Sequence, residues 1–322
     1  MRTSELGRTG LRISRVGFGA WATGGAGWLR GWSMQDDGDS IAAIERALEL
    51  GVDWIDTAPV YGHGHSEAII GRALRGLTDP PRLFTKCGVL EGRERGLEFR
   101  LERDSIRAEL EQSLARLGVD AVDLYQIHRP APEADIETAW STLAELKAEG
   151  LVRHIGVSNF SVSQLERLMA IAPVETLQPP YSLLQRDAER DLLPFARSAG
   201  IGVLVYSPMG SGLLTGTMTR ERFNALPASD WRKNDDRFSA ARLESSFEIV
   251  ARLRRVGERH AATPGEVAVA WTLQNPAVDA AIVGFRRASQ VEAIVGAASL
   301  DLSRDDMAEI GQAGPDDSCG ED

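Results

Sequence analysis

The sequence predicts a closed α/β barrel, a (β/α)8 or TIM barrel: eight parallel strands, each followed by a helix, behind a short N-terminal β-hairpin. Three observations carry this. Eight short apolar runs alternate with segments of helical periodicity, which makes the strands parallel and puts the helices outside. The 322 residues suit eight such units closed on themselves. No G-x-G-x-x-G follows the first strand, which weighs against a doubly wound open sheet.

Taken in order, residues 3–20 read as a hairpin turning near Gly7–Gly10, then a strand from Ile13, with a Gly-rich loop over Trp21–Gly27. Ile41, Ile44 and Leu48 stripe a helix that Gly51 ends. Val52–Asp56 is an apolar strand that stops at a carboxylate, and a Pro- and Gly-punctuated loop carries Tyr61 beyond it. A helix over about Ser66–Leu74 leads to the strand Arg82–Gly88, with Lys86 at its end. The pattern repeats. A helix marked by Ile106, Leu110, Leu114 and Leu117 precedes the strand Val122–His128. One marked by Ile136, Trp140, Leu143 and Leu146 precedes His154–Asn159. Leu165, Leu168 and Met169 lead to Glu175–Gln178, and Leu192, Leu193 and Ala196 lead to Ile201–Pro208. After an irregular polar stretch (210–243), helices at 246–260 and 265–274 precede the strand Ala280–Gly284, and a final helix starts near Ser289. Residues 1–313 read as one barrel domain; 314–322 is an acidic tail, expected to be disordered.

Composition narrows the function classes. Hydrophobic residues make up 43% and charged residues 26%, an ordinary globular balance. A formal net charge of −11 argues against binding nucleic acid or an anionic membrane. Any phosphorylated ligand then needs a local cluster of Arg and Lys. Two cysteines, Cys87 and Cys319, suit a reducing compartment. There is no signal region and no run of roughly 18 apolar residues, so the expectation is a soluble cytoplasmic protein.

Barrel chemistry gathers at the C-terminal strand ends. Here those ends supply Asp56, Lys86, His128, Ser158, Asn159, Gln178 and Tyr206, with Tyr61 in the loop after the second strand. A free phenol at pKa ~10 is a weak acid for a developing alkoxide. A Lys ammonium beside it lowers that pKa, and a carboxylate holds the ammonium in a buried place. A neutral His orients a carbonyl. This set suits proton donation to a carbonyl oxygen and lacks the nucleophile–base pair of acyl transfer. His63-Gly64-His65 with Glu67 matches no strong metal-ligand spacing and reads as a glycine-rich loop, so no metal is expected. Cys87 alternates away from Lys86 and reads as packing. His154 and His260 are assigned no role.

Asp56-Thr57-Ala58-Pro59-Val60-Tyr61-Gly62, the strand-end Lys86 and His128 in Gln126-Ile127-His128 resemble the catalytic tetrad motifs of the aldo-keto reductase family. Gly156-Val157-Ser158-Asn159-Phe160 and the run Tyr206-Ser207-Pro208-Met209-Gly210-Ser211-Gly212-Leu213-Leu214-Thr215-Gly216 are similar to its cofactor segments. Gly31-Trp32-Ser33-Met34-Gln35-Asp36-Asp37 and Tyr181-Ser182-Leu183-Leu184-Gln185-Arg186 resemble its bacterial branches. The resemblance runs over nearly the whole chain. It implies extended NADPH (NADP+) and reduction of an aldehyde or ketone, with Tyr61 as general acid, Lys86 and Asp56 tuning it, and His128 orienting the carbonyl. It further implies Ser158, Asn159 and Gln178 at the nicotinamide carboxamide and Tyr206 stacked on the ring. Ser207, Met209, Gly210 and Gly212 would cradle the pyrophosphate.

Gly284-Phe285-Arg286-Arg287-Ala288-Ser289-Gln290 occupies the segment that meets the adenosine 2′-phosphate in the family. Gly284, Arg286, Arg287 and Gln290 are its cofactor candidates. Two Arg before a helix N-terminus favour NADPH over NADH. Trp21 and Arg129 are the substrate-pocket candidates. One departure is Ala293-Ile294, where the family pattern often has two polar residues that meet adenine. A second reading is a cofactor-binding regulatory subunit like the potassium-channel β-subunits, which share the scaffold. A third is a barrel lyase or isomerase, which would have no use for the two Arg.

Overall fold

The structure is a computed structural model describing residues 1–28, 31–32, 35–92, 96–228 and 230–311. The acidic tail 314–322 with Cys319, and Ser33 and Met34 of the branch-like segment, lie outside the described residues. The hairpin pairs β1 (Thr3–Glu5) with β2 (Arg12–Ser14) in antiparallel register. Eight parallel strands then close into a barrel: β3 (Val16–Gly19), β4 (Trp54–Asp56), β5 (Arg82–Cys87), β8 (Val122–Ile127), β9 (Val152–Ser158), β10 (Thr176–Gln178), β11 (Gly202–Tyr206) and β12 (Ala280–Gly284), which pairs back with β3. Between β5 and β8 the chain adds an antiparallel hairpin, β6 (Val89–Glu91) with β7 (Leu97–Phe99).

All eight expected barrel strands are present. The expected strand from Ile13 divides, however: Arg12–Ser14 pairs in the hairpin, and the barrel strand begins at Val16. The hairpin plugs the barrel floor. Leu6 and Ile13 are fully buried with Trp54, Phe84, Leu124, Leu204 and Ala280 in the barrel interior. Close approach explains two glycines there. A Cβ on Gly7 would lie 2.2 Å from the Gly202 nitrogen, and one on Gly17 would lie 2.2 Å from the Trp54 ring.

The outer layer follows from stripes and caps. Helix α1 spans Asp37–Glu49, α2 His65–Ala73, α3 Arg103–Leu117, α4 Ile136–Ala148, α5 Val162–Met169, α6 Leu192–Ala199, α7 Arg220–Asn224, α8 Ala240–His260, α9 Pro264–Leu273, α10 Ala288–Glu292 and α11 Arg304–Ile310. Ser161 with Gln164 and Thr263 with Glu266 form capping boxes at α5 and α9, each satisfying two otherwise orphaned amide donors. Gly118 (φ 72°) and Gly200 (φ 70°) end α3 and α6 in the left-handed conformation, which costs glycine no Cβ clash. The helix expected near Ser289 is short, and α11 follows it. No described helix is long and apolar enough to cross a membrane.

Candidate active site

Strand alternation decides which side chains meet. Trp54 and Asp56, Phe84 and Lys86, and Leu124, Gln126 and His128 recur at every second position along β4, β5 and β8, so each set faces one way. The apolar members fill the barrel interior, and the polar members close its mouth. Lys86, 0% exposed, donates to Asp56 Oδ1 at 2.5 Å and to the Thr57 carbonyl at 2.9 Å. Its Nζ also stands 5.4 Å from the centre of the Tyr61 ring. His128 meets the same ring edge-on, with centroids 5.9 Å apart at 83°. The four expected catalytic side chains therefore converge.

The loop bearing Tyr61 is tied down from behind. Ser66 Oγ bonds Thr57 Oγ1 at 2.9 Å and donates to the Ala20 carbonyl at 2.9 Å. A Cβ on Gly62 (φ 62°) would lie 2.1 Å from the Gly24 carbonyl, so two loops touch through glycine. Trp28, in the loop after β3, packs on Tyr61 at 5.9 Å.

Electrostatics here differ from the sequence expectation in one respect. Lys86 was expected to lower the Tyr61 pKa. Instead, burial above all, with the Asp56 charge adding to it, pushes the phenol well above its ordinary value, and Arg129 opposes this only weakly. The physical reason is that burial strips a phenolate of its solvating water and the Asp56 carboxylate repels it. Burial also drives the His128 imidazole well below its ordinary value, helped by the Lys86 and Arg129 charges. The pair thus offers a protonated phenol beside a neutral imidazole.

The expected cofactor residues form a connected rim. Ser158 Oγ donates to the Gln178 carbonyl at 2.9 Å. Asn159 donates from Nδ2 to Ser158 Oγ (2.9 Å) and to the His128 carbonyl (3.0 Å), while its Oδ1 accepts from the Tyr206 hydroxyl at 2.8 Å. Asn159 holds φ 65°, a left-handed conformation that Asn tolerates. Beyond β11, Ser207, Gly210, Ser211 and Gly212 all have positive φ. Such turns aim backbone amides into a concavity suited to an anion. Ser211 Oγ is buried there without a hydrogen-bond partner among the described residues, an orphaned polar atom that fits a phosphate oxygen. Met209 packs beneath the turn against the core.

At the far end, Gly284 is exposed where β12 ends. The Arg286 amide donates to Gln290 Oε1 at 2.7 Å, and its guanidinium to Gln35 Oε1 at 2.8 Å. Burial and the nearby charges of Arg287, Arg232 and Arg222 lower the Arg286 pKa. Arg286 therefore stands among other Arg groups, with the Asp230 charge opposing them, on a chain of net charge −11. Arg287 stands 3.5 Å from Asp39. Ile294 is buried and Ala293 packs against the core, so this departure from the family pattern serves packing here.

The irregular 210–243 segment folds against the mouth. Trp231 lies 5.5 Å from Trp21 and 5.8 Å from Trp32, and Trp21 lies 5.7 Å from Trp32. Arg232, bonded in bidentate fashion to Asp230 at 2.9 and 2.7 Å, covers the Trp32 ring at 4.6 Å. Among the described residues, the indole N–H groups of Trp32 and Trp231 are buried without hydrogen-bond partners. Sequence reasoning named Trp21 as a wall of the substrate pocket and expected the segment around Trp231 to fold over the cofactor or substrate. The signal it passed over was three tryptophans within residues 21–32. It also passed over Gln126, a buried amide inside an apolar strand.

Other candidates disperse. His63 meets Glu91 at 3.3 Å, His65 meets Asp37 at 2.9 Å, and Glu67 accepts from Thr85 and Arg116. Cys87 faces the outer core and donates to the Gln126 carbonyl at 3.6 Å, with burial pushing its thiol up. His154 and His260 bond Glu175 and Asp306 at 3.0 and 2.9 Å.

Comparison with known proteins places this arrangement. The aldo/keto reductase family model matches residues 15–314. The aldo-keto reductase YhdN of Bacillus subtilis (strain 168) is 37% identical over 313 residues, covering 96% of this chain and 92% of that protein. The NADH-specific methylglyoxal reductase of Escherichia coli (strain K12) is 34% identical, covering 97% and 99%. The structure of a glycerol dehydrogenase from Gluconobacter oxydans superposes with a TM-score of 0.87 at 34% identity, covering 96% and 93%. On family match, sequence identity and barrel together, this chain belongs to the aldo/keto reductase family, oxidoreductases of carbonyl and alcohol groups that use nicotinamide cofactors.

Proposed function

We propose that this protein reduces a small aldehyde or ketone with NADPH, reversibly, with Tyr61 as the general acid. The observation that carries the reading is the convergence of Tyr61, His128 and the buried Lys86–Asp56 pair at one strand-end mouth. When bound, the nicotinamide supplies the hydride. Neutral His128 donates a hydrogen bond to the carbonyl oxygen and orients it. Tyr61, kept protonated by burial, transfers its proton to that oxygen as charge develops there. Lys86 holds the resulting phenolate by its charge, while Asp56 holds Lys86.

Ser158, Asn159 and Gln178 would hold the carboxamide, and Tyr206 would stack on the ring. The turn Ser207–Gly212, with Met209, Gly210 and the orphaned Ser211 hydroxyl, takes the pyrophosphate. Arg286 and Arg287, with Gly284 and Gln290 shaping their turn, take the 2′-phosphate. One relative named above is NADH-specific, so family membership leaves the choice between cofactors open; the Arg cluster around Arg286 supports NADPH. Trp21, Trp32, Trp231 and Arg129 wall the substrate side. The names of two relatives, a glycerol dehydrogenase and a methylglyoxal reductase, support a small oxygenated substrate.

The test is initial rates with a reactive aromatic aldehyde and either reduced cofactor. NADPH should exceed NADH in kcat/KM by at least about tenfold, the value of one charge-assisted contact. A preference for NADH would remove the cofactor assignment, and no turnover with either would remove the reductase reading.

A further inference from the structure

Three side chains from different strands meet at the mouth: Asp56 of β4, Gln126 of β8 and Gln178 of β10. Asp56 Oδ1 is taken by Lys86. Asp56 Oδ2 accepts from Gln178 Nε2 at 2.8 Å and from Gln126 Nε2 at 3.4 Å. Gln178 Nε2 also donates to Gln126 Oε1 at 3.3 Å. Gln126 and Lys86 are 0% exposed, and Asp56 and Gln178 are each 3% exposed.

An ionised carboxylate only accepts hydrogen bonds. The ends of the two amides are therefore not interchangeable: each must turn its nitrogen toward Asp56. The two protons on Gln178 Nε2 then have two acceptors, Asp56 Oδ2 and Gln126 Oε1. What remains for any ligand is Gln178 Oε1, which bonds no other group among the described residues. That atom is an acceptor with no means of becoming a donor while the triad stands.

We propose that Asp56 and Gln126 lock the amide of Gln178 with its oxygen toward the cofactor, so that Gln178 accepts from the –NH2 of the nicotinamide carboxamide and rejects a group without that donor. Gln126 is then a positioning residue that acts through Gln178. Asp56, which also holds Lys86, joins cofactor reading and proton delivery through its two oxygens. The inference rests on the nicotinamide site proposed above.

The test uses the full chain and two oxidised dinucleotides, NADP+ and its 3-acetylpyridine analogue, in which a methyl replaces the –NH2. Dissociation constants come from quenching of tryptophan fluorescence. Wild type should bind NADP+ about tenfold more tightly, the value of one buried hydrogen bond left unmade. Asp56→Asn should cut that preference at least about threefold, because the amide can then turn, and Gln126→Leu, which leaves the amide the Asp56 bond alone, should cut it by less. General loosening of the site would weaken both ligands alike and leave their ratio in place; an unchanged ratio in both variants overturns the lock. A second readout needs no cofactor. In 15N-labelled protein, the Gln178 side-chain –NH2 signals, assigned through Gln178→Leu, should exchange slowly with solvent in wild type and quickly in Gln126→Leu. Fast exchange in wild type overturns the lock. Failure of wild type to bind either dinucleotide would remove the nicotinamide reading, and the exchange measurement would still decide the lock.

Discussion

Along β4, β5 and β8 the same inward face changes character within two residues: Trp54 gives way to Asp56, Phe84 to Lys86 and Leu124 to Gln126. Below, a fully buried apolar layer capped by Leu6 and Ile13 holds together by area and shape. Above, an equally buried layer holds together by hydrogen bonds and one ion pair. The difference shows how one barrel both folds and reacts. The lower layer keeps water from beneath the mouth. That absence of water raises the Tyr61 phenol and lowers the His128 imidazole, and it makes the Lys86–Asp56 pairing obligatory.

Breaking each layer should therefore fail differently. Lys86→Met strands the buried Asp56 charge and should cost about 3–5 kcal/mol, read as a lower urea midpoint, together with loss of turnover. Phe84→Ala, two residues earlier on the same strand, should cost a similar 3–5 kcal/mol through a cavity. The comparison is sharpened by turnover per folded molecule, which Phe84→Ala should largely keep. Equal catalytic damage from both would mean that the two layers are not separable.

Another buried carboxyl lies behind the barrel wall. Glu109 accepts from the Gly88 amide at 3.0 Å and from Ser105 at 3.3 Å, and burial pushes it up to about 7 from an ordinary 4.5. Its folded pKa is raised, so between those two values the folded state keeps a proton that the unfolded chain has lost. Stability falls as pH rises through that window and levels off above it, by about 3 kcal/mol. Glu109→Gln should flatten that slope in urea titrations; an unchanged slope would assign it to other groups.

Smaller still is the effect of pH on catalysis. With phenol and imidazole displaced in opposite directions, reduction should stay nearly level from about pH 6 to 9, and alcohol oxidation, which needs the phenolate, should rise toward alkaline pH. A reduction profile that bends near the ordinary His value of about 6.5 would place His128 in water.

Much of this was legible in the sequence. Each barrel strand is an apolar run closed by Gly or by a polar strand-end residue, and parallel strand–helix alternation leaves few other folds. Strand ends likewise named Asp56, Lys86 and His128. The rest depended on contacts that no local pattern encodes. The β6–β7 hairpin is short and half exposed, without alternation to mark it. Ile13 and Val16 read as one strand in the sequence, and only pairing with β1 separates them. Trp231 meets Trp21 across 210 positions of chain, a contact set by the folding of the 210–243 segment. Gln126 was quoted within a motif, yet its bond to Asp56 exists only once β4 and β8 flank β5 in the closed barrel.

The most direct test of the central claim compares wild type with Tyr61→Phe, following NADPH oxidation by a reactive aromatic aldehyde while measuring NADPH binding separately by tryptophan quenching. The account predicts unchanged binding and a fall in kcat of about 10²–10⁴-fold, the usual worth of a positioned acid. Turnover that survives the loss of the hydroxyl, with binding intact, would contradict it: the proton would then come from elsewhere, and the convergence of the four side chains would need another explanation.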